Sequence, residues 1–361
     1  MKILVVYATA GAGHKKAAEA LYDGLKGSGH DVVYLDVLKY TNAFYHYSYV
    51  QGYTFLVKHL PVVWAAFFGL LDLPWMRPVL VDFRRFYNAV NARAFHDYLR
   101  KEQFDCIFST HFLPNEVAAY LKRTGQIHSK LICCVTDFDV HRIWISKGID
   151  RYAVASPYTR EKIISLGVDA QNVHVTGIPV NQKFSRNKNR AELKQKMGLK
   201  DGMFTVLMAT GSFGFGPIEE VASRLQGLQV LVVCGHNKAL YQRMKSRNLP
   251  DVVVYGLVDN MDELMAVSDA MITKPGGLSI SEALVTGLPL IFFSAIPGQE
   301  EHNVRVLARQ GVGVSHCPIE NMAAVLRAYQ SDPQQFQDAQ SKAKALGKPD
   351  AVKDILSLSH A

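Results

Sequence analysis

Short apolar, β-branched runs alternate with helix-period stretches along most of the chain. Residues 3–8 (Ile-Leu-Val-Val-Tyr-Ala) are apolar throughout, the pattern of a strand covered on both faces. Residues 15–26 then switch to helical spacing, with Ala17, Ala18, Leu21 and Leu25 on one side, which predicts an amphipathic helix. Further strands are predicted at 31–37, 105–109, 131–136 and 151–155, with a helix at 158–166. This βαβα rhythm belongs to a parallel sheet with helices on both faces. Between Tyr40 and Lys101 it stops, and a long, aromatic, mostly helical insertion takes its place.

A second break falls at 177–190, turn-like at first and then short, polar and basic. The rhythm then restarts, with strands predicted at 204–209, 230–234, 252–256, 270–273 and 289–293. The expected fold class is α/β, with two Rossmann-like domains facing a central cleft. The expected divisions are an N-terminal domain 1–180, a C-terminal domain 181–335, and a polar helical tail 336–361 that could pack back on the N-terminal domain. A length of 361 residues is more than one hydrophobic core usually serves.

Composition narrows the class. With 48% hydrophobic and 20% charged residues the chain is globular. A formal net charge of +8 suits an anionic partner: nucleic acid, an anionic membrane surface or phosphorylated substrates. The basic residues form no helix-long stripe, which sets nucleic acid last. The five cysteines, Cys106, Cys133, Cys134, Cys234 and Cys317, sit mostly inside apolar runs and read as small buried hydrophobes of an intracellular protein. The opening apolar run is too short for a secretory signal. The apolar run 62–71 is bounded by Pro61, Asp72 and Pro74. It falls short of the roughly 20 residues that a spanning helix needs.

Chemistry concentrates where predicted strands end. Thr9-Ala10-Gly11-Ala12-Gly13-His14 lies between a strand and a helix, so backbone N–H groups and the positive helix end point above the sheet. It is neither a Walker A loop nor a complete GxGxxG, because Lys16 stands at the third position. At a helix N-terminus, His14 is disfavoured as a cation and is suited to accept a proton. A second turn, 210–217, carries Gly211, Ser212, Gly214 and Gly216 and leads to a helix near Pro217. Its glycines allow the backbone to approach a diphosphate closely. In a third turn, Gly276, Gly277 and Leu278 follow Thr273-Lys274-Pro275. Glu282 stands about a turn into the next helix, where a carboxylate can accept ribose hydroxyls. The polar stretch 297–303, with Gln299 and Glu300, offers the amide and carboxylate groups that sugar hydroxyls require. Asp137-Phe138-Asp139 is a D-x-D that could hold a metal, but its place after a strand reads better as an acceptor-facing polar loop.

These clusters, in this order, resemble the monogalactosyldiacylglycerol synthase and processive diacylglycerol glucosyltransferase family. Gly11-Ala12-Gly13-His14, Thr136-Asp137 with His141 and Trp144, and Gly177-Ile178-Pro179-Val180 carry the likeness in the first half. In the second half it rests on 215–219, on Gly235-His236-Asn237, on Gly256-Leu257-Val258, on Thr273–Gly277 with Glu282, and on 297–303. His236 departs from the arginine that many relatives carry, and the turn 210–216 departs from their usual glycine triplet. The resemblance implies an inverting glycosyltransferase of the GT-B fold. It would move a hexose from UDP-glucose or UDP-galactose to the hydroxyl of diacylglycerol, with the UDP-sugar as substrate and neither cofactor nor metal.

It further implies a division of labour. Uracil would meet Gly256, Leu257 and Val258 with Gly235 and Asn237 nearby. Glu282 would take the ribose. Diphosphate would sit on Gly211, Ser212, Gly276, Gly277 and Leu278, and the sugar on Gln299 and Glu300. Gly13, His141 and Trp144 would face the acceptor, with His14 as base and Asp137 as its alternative or partner. The aromatic insertion 44–80, beside Lys58, Arg77, Arg84, Arg85 and Arg93, would bring the enzyme to the anionic inner face of the cell membrane. Transfer to another lipid acceptor, a UDP-sugar epimerase and a UDP-sugar sensor without turnover are the competing readings.

Overall fold

The structure, a computed structural model, describes residues 1–9, 11–42, 91–212, 214, 216–293, 299–315 and 317–360, together with Tyr45, Tyr47, Ser48, Gly52, Leu60 and Val63. The insertion expected over 44–80 therefore lies outside the described residues, apart from those isolated positions. Contacts divide the chain into two units. The first comprises Met1–Asn181, Ile296–His302 and Asp350–Ala361; the second comprises Gln182–Ala295 and Asn303–Pro349.

The first unit is built on six parallel strands: β1 (Lys2–Tyr7), β2 (Asp31–Asp36), β3 (Cys106–Ser109), β4 (Lys130–Cys134), β5 (Arg151–Val154) and β6 (Val173–Val175). Their order is β2-β1-β3-β4-β5-β6. Among the described residues, its main stretch carries the helices α1 (Ala12–Leu25), α2 (Arg93–Glu102), α3 (Phe112–Arg123) and α4 (Pro157–Ser165). Both faces of β1 are covered, which is why its run is continuously apolar. Ile3, Val5 and Tyr7 pack with Leu21 and Leu25 of α1 on one side. Leu4 and Val6 pack with Phe95 and Leu99 of α2 and Val117 of α3 on the other. Each fully buried leucine of this kind contributes about 1.5–3 kcal/mol.

The second unit has five parallel strands: β7 (Thr205–Ala209), β8 (Gln229–Val233), β9 (Val252–Tyr255), β10 (Ala270–Thr273) and β11 (Leu290–Phe292), in the order β11-β10-β7-β8-β9. The helices that follow in chain order are α5 (Arg190–Lys196), α6 (Ile218–Arg224), α7 (Lys238–Ser246), α8 (Met261–Val267), α9 (Gly277–Thr286), α10 (Gln299–Arg309), α11 (Ile319–Ser331), α12 (Pro333–Leu346) and α13 (Ala351–Ser357). Val206, Met208, Val230 and Val232 of the sheet bury against Ile218 and Val221 of α6 and Met322 and Leu326 of α11.

The end of the chain splits. Helix α12 packs on α9 and α11 in the second unit, whereas α13 packs on α1 in the first. A β-carbon on Gly24 would stand 2.5 Å from Val352 Cγ1, so the α1–α13 contact is built around a glycine inside a helix. No helix among the described residues is long and apolar enough to cross a membrane.

In each sheet the chain starts at an inner strand, builds out to one side, and then returns to build the other. The reversal falls between β1 and β3 in the first sheet and between β7 and β10 in the second. At such a point the loops leaving adjacent strands diverge, and ligands bind beyond the carboxyl ends of the strands.

Candidate active site

The first reversal point holds His14. Gly11 enters α1 at φ 123°, a conformation that side chains resist, and no side chain caps the helix. Upstream, Asp36 at the end of β2 accepts from the Thr9 backbone N–H at 3.2 Å and from the Thr9 hydroxyl at 2.5 Å, which anchors the turn. Gly13 lies in the first turn of α1, one residue before His14. His14 Nδ1 stands 2.7 Å from the carbonyl oxygen of Thr110, after β3, and 3.0 Å from the hydroxyl of Thr136, after β4. A carbonyl can only accept, so Nδ1 carries the proton and Nε2 keeps its lone pair. Thr110 closes the contact in return, its hydroxyl donating to the His14 carbonyl at 2.8 Å.

Burial holds the imidazole down at about 4, partly offset by the Thr110 carbonyl, which favours the charged ring. The sequence predicts a neutral His14 from its place at a helix start. The structure adds burial as the dominant cause. A second histidine, absent from the sequence-derived candidates, packs edge-on against it: His111, with ring centroids 4.7 Å apart at 81°. Its Nδ1 accepts from Leu113 N at 3.1 Å and caps α3. Burial first, and then the charge His14 would carry, push His111 well below its ordinary value. The signal was Ser109-Thr110-His111, polar residues directly after an apolar run, where a parallel strand delivers its loop.

Trp144 is buried and closes the same cluster, 6.1 Å from both His14 and Phe112 between ring centroids. His141 caps the short 3-10 turn Arg142–Trp144 through Nδ1, which accepts from Ile143 N at 3.1 Å. Asp137 is buried in the loop after β4, next to the Thr136 that touches His14. Asp139 is taken up by protein side chains, with Lys162 Nζ at 2.7 Å and His302 Nδ1 at 3.1 Å. Burial raises its carboxyl, but hydrogen bonds from His302 and Lys162 outweigh that and hold it below the usual carboxylate range. Glu300 is buried in the first turn of α10, at Gln299–Arg309; Gln299 begins that helix, and its side chain lies outside the described residues.

The second reversal point gathers most of the other candidates. Thr273, at the end of β10, lies in register with Ala209 of β7 and donates its hydroxyl to the Ala209 carbonyl at 2.6 Å. Gly211-Ser212 and Gly276-Gly277 thus leave adjacent strands. The loop after β8 locks onto the loop after β7: His236 N donates to the Ser212 carbonyl at 2.7 Å, and Gly235 N to the Gly256 carbonyl at 3.2 Å. A β-carbon on Gly235 would stand 2.3 Å from Ser212 O, and one on Gly214 2.6 Å from Cys234 O. These two glycines therefore serve contact between loops, a role the sequence does not distinguish from close approach to phosphate. Gly276, in contrast, has open space where a side chain would stand.

Asn237 has a local structural role. It caps α7 by accepting from Leu240 N at 2.9 Å and donates to the Gly214 carbonyl at 3.4 Å. Leu257 is 64% exposed beside Gly256 and Val258, an apolar surface that a flat ring could cover. Gly276 is the N-cap of α9 with no side-chain cap, so the first N–H groups of Gly277 and Leu278 are free of one. Glu282 follows on that helix, half-buried, one residue past Ser281.

Two doubly wound parallel units, each with glycine turns at its reversal point, define the GT-B class of fold. The crystal structure of Acinetobacter baumannii MurG has this fold: TM-score 0.63 at 15% identity, over 100% of this chain and 99% of that one. So does Anabaena Alr3699/HepE in complex with UDP-glucose, with TM-score 0.59 and 15% identity over 100% of both chains. Residues 14–180 match the monogalactosyldiacylglycerol (MGDG) synthase family, and residues 205–355 match the glycosyltransferase family 28 C-terminal domain. A processive diacylglycerol beta-glucosyltransferase of Bacillus pumilus (strain SAFR-032) is 31% identical over 334 residues, covering 87% of this chain and 82% of its own. The chain belongs to this family of diacylglycerol glycosyltransferases.

Proposed function

We propose that the chain transfers a hexose from a UDP-sugar to the free hydroxyl of diacylglycerol, with inversion, and makes a β-glycosyldiacylglycerol. Family membership over most of the chain supports the reaction class. The observation that carries the chemistry is His14: proton on Nδ1, lone pair on Nε2, and a ring kept neutral by burial. An alcohol is a weak nucleophile near neutral pH, so a base must take its proton as the new bond forms. His14 is that base, and the Thr110 carbonyl stabilises the imidazolium that results. Asp137 is the alternative base. Gly13, His141 and Trp144 line the acceptor side.

The donor lies on the loops after β7, β8, β9 and β10. Gly211, Ser212, Gly276, Gly277 and Leu278 hold diphosphate, and Glu282 holds ribose. Uracil rests against Gly256, Leu257 and Val258, while Gln299 and Glu300 meet the sugar. The UDP-sugar enters as a substrate with no resident cofactor. The enzyme works peripherally at an anionic, cytoplasm-facing membrane surface, because its acceptor stays in the bilayer. The deciding experiment presents UDP-glucose and UDP-galactose in parallel to the full chain on liposomes with and without diacylglycerol. A β-glycosyldiacylglycerol formed from either donor is the expected product. Hydrolysis or epimerisation of the donor without a lipid product would overturn the reading.

A further inference from the structure

We infer that Lys274 is a catalytic residue of the donor site, its ammonium neutralising the diphosphate as the sugar departs. This rests on the donor reading above and adds a residue to it. A β-carbon built on Gly211 would stand 3.0 Å from Lys274 Cε and 4.0 Å from Nζ. The lysine therefore reaches from the end of β10 across to the glycine turn after β7, over the reversal point of the second sheet. Gly211 has φ +80° and no side chain to obstruct that path.

The base of Lys274 is fixed. Thr273 donates its hydroxyl to the carbonyls of Ala209, at 2.6 Å, and of Lys274 itself, at 3.1 Å. Gly276 N donates back to the Lys274 carbonyl at 2.9 Å. Asn303, fully buried, donates to the Pro275 carbonyl at 3.0 Å. The turn is therefore built, and the backbone from which the Lys274 side chain springs is held in place. Next to it, Thr210 is buried, and its hydroxyl has no partner among the described residues. A polar occupant of the turn would satisfy it.

Charge points the same way. Of the loops after the five strands of this unit, 210–217, 234–237, 256–260, 274–276 and 293–298, Lys274 is the one lysine or arginine. In the reaction the bond from the anomeric carbon to the β-phosphate oxygen breaks and its electron pair stays on that oxygen. The acceptor oxygen bonds to the carbon, and its proton passes to His14. Negative charge thus grows on the diphosphate in the transition state. A fixed cation there accelerates the step, because it interacts more strongly with the leaving group than with the bound donor. Lysine acts on phosphate as a point charge, without a required orientation.

The test compares the affinities of UDP and uridine for the full chain and for Lys274→Ala, Lys274→Met and Lys274→Arg, by competition calorimetry. Uridine lacks the phosphates, so the ratio of the two affinities reads the cation and is blind to a general loss of the site. For Lys274→Ala and Lys274→Met the ratio is expected to fall about tenfold to a hundredfold, the range for a lost charged hydrogen bond. Lys274→Arg should restore most of it, and kcat should fall in Ala and Met by more than the donor KM rises. An unchanged ratio, including one in which UDP and uridine weaken together, overturns the inference and leaves the donor site standing. Failure of the parent chain to bind UDP at all removes both.

Discussion

At the scale of single residues, His14 shows how a neighbour's backbone can fix the tautomer of a buried imidazole. The Thr110 carbonyl accepts a hydrogen bond from Nδ1–H, which leaves the lone pair on Nε2. His14→Ala should therefore lower turnover by about a hundredfold to ten-thousandfold, the usual cost of losing a general base. UDP affinity, measured by calorimetry, should stay near that of the parent. Near-normal turnover on liposomes would shift the base to Asp137. The buried ring also has a pH signature. Its folded value, about 4, lies below the ordinary histidine value, so its contribution to stability is full above roughly 6.5 and is lost as pH falls toward 4. His111 is shifted in the same direction. The denaturant midpoint should accordingly fall from pH 7 to pH 4, and replacing both histidines by glutamine should flatten that slope. Turnover should keep its base down to the same region, with no acid limb near 6.5. On the donor side, Glu282→Ala should weaken UDP binding about tenfold to a hundredfold while the fold stays intact. Unchanged affinity would remove Glu282 from the site.

At the scale of elements, the loops after β7 and β8 work as one piece. His236 N on the Ser212 carbonyl, and the bare Cα of Gly235 against the same peptide, join them. Gly235→Ala would put a side chain on a residue at φ +59° and drive it into Ser212 O. Such backbone strain costs of order 1–3 kcal/mol. A lower melting temperature together with weaker UDP binding is expected; a variant with both unchanged would show that the loops are independent. The strands were readable from apolar runs, and β10 (Ala270–Thr273) was read at its observed bounds. Strand β6 (Val173–Val175) was not, because three residues with a polar His174 give no periodicity to detect. Helix α1 starts at Ala12, ahead of the residue 15 expected from the sequence, because Gly13 reads as a turn but is carried inside the helix.

At the scale of the whole molecule, the charge of +8 and the aromatic run 44–80 bear on where the enzyme works. Apolar insertion is not screened by salt, whereas attraction of basic residues to anionic lipid is, at about 1 kcal/mol per residue near the surface. Vesicle sedimentation should show stronger binding to anionic than to neutral liposomes, weakening as salt rises. Replacing Trp64, Phe67 and Phe68 by serine should reduce binding at every salt concentration in a variant that circular dichroism shows to be folded. Undiminished binding would assign those aromatics to the interior.

The two parallel sheets, the strand-end glycine turns and the family were legible in the sequence, because apolar periodicity and the order of short motifs are local properties of the chain. The sequence also marked His14, Asp137 and Glu282 as candidates from their positions relative to those turns. Which turns meet is set by the packing of the folded chain. Strand order brings residue 14 beside residues 110, 111 and 136, and residue 211 beside residue 274. Those pairings depend on which strands lie side by side, and no local pattern encodes that. Glycines with identical sequence signals likewise separate into loop-to-loop contacts at Gly214 and Gly235 and open backbone at Gly276, because what approaches a glycine comes from elsewhere in the chain.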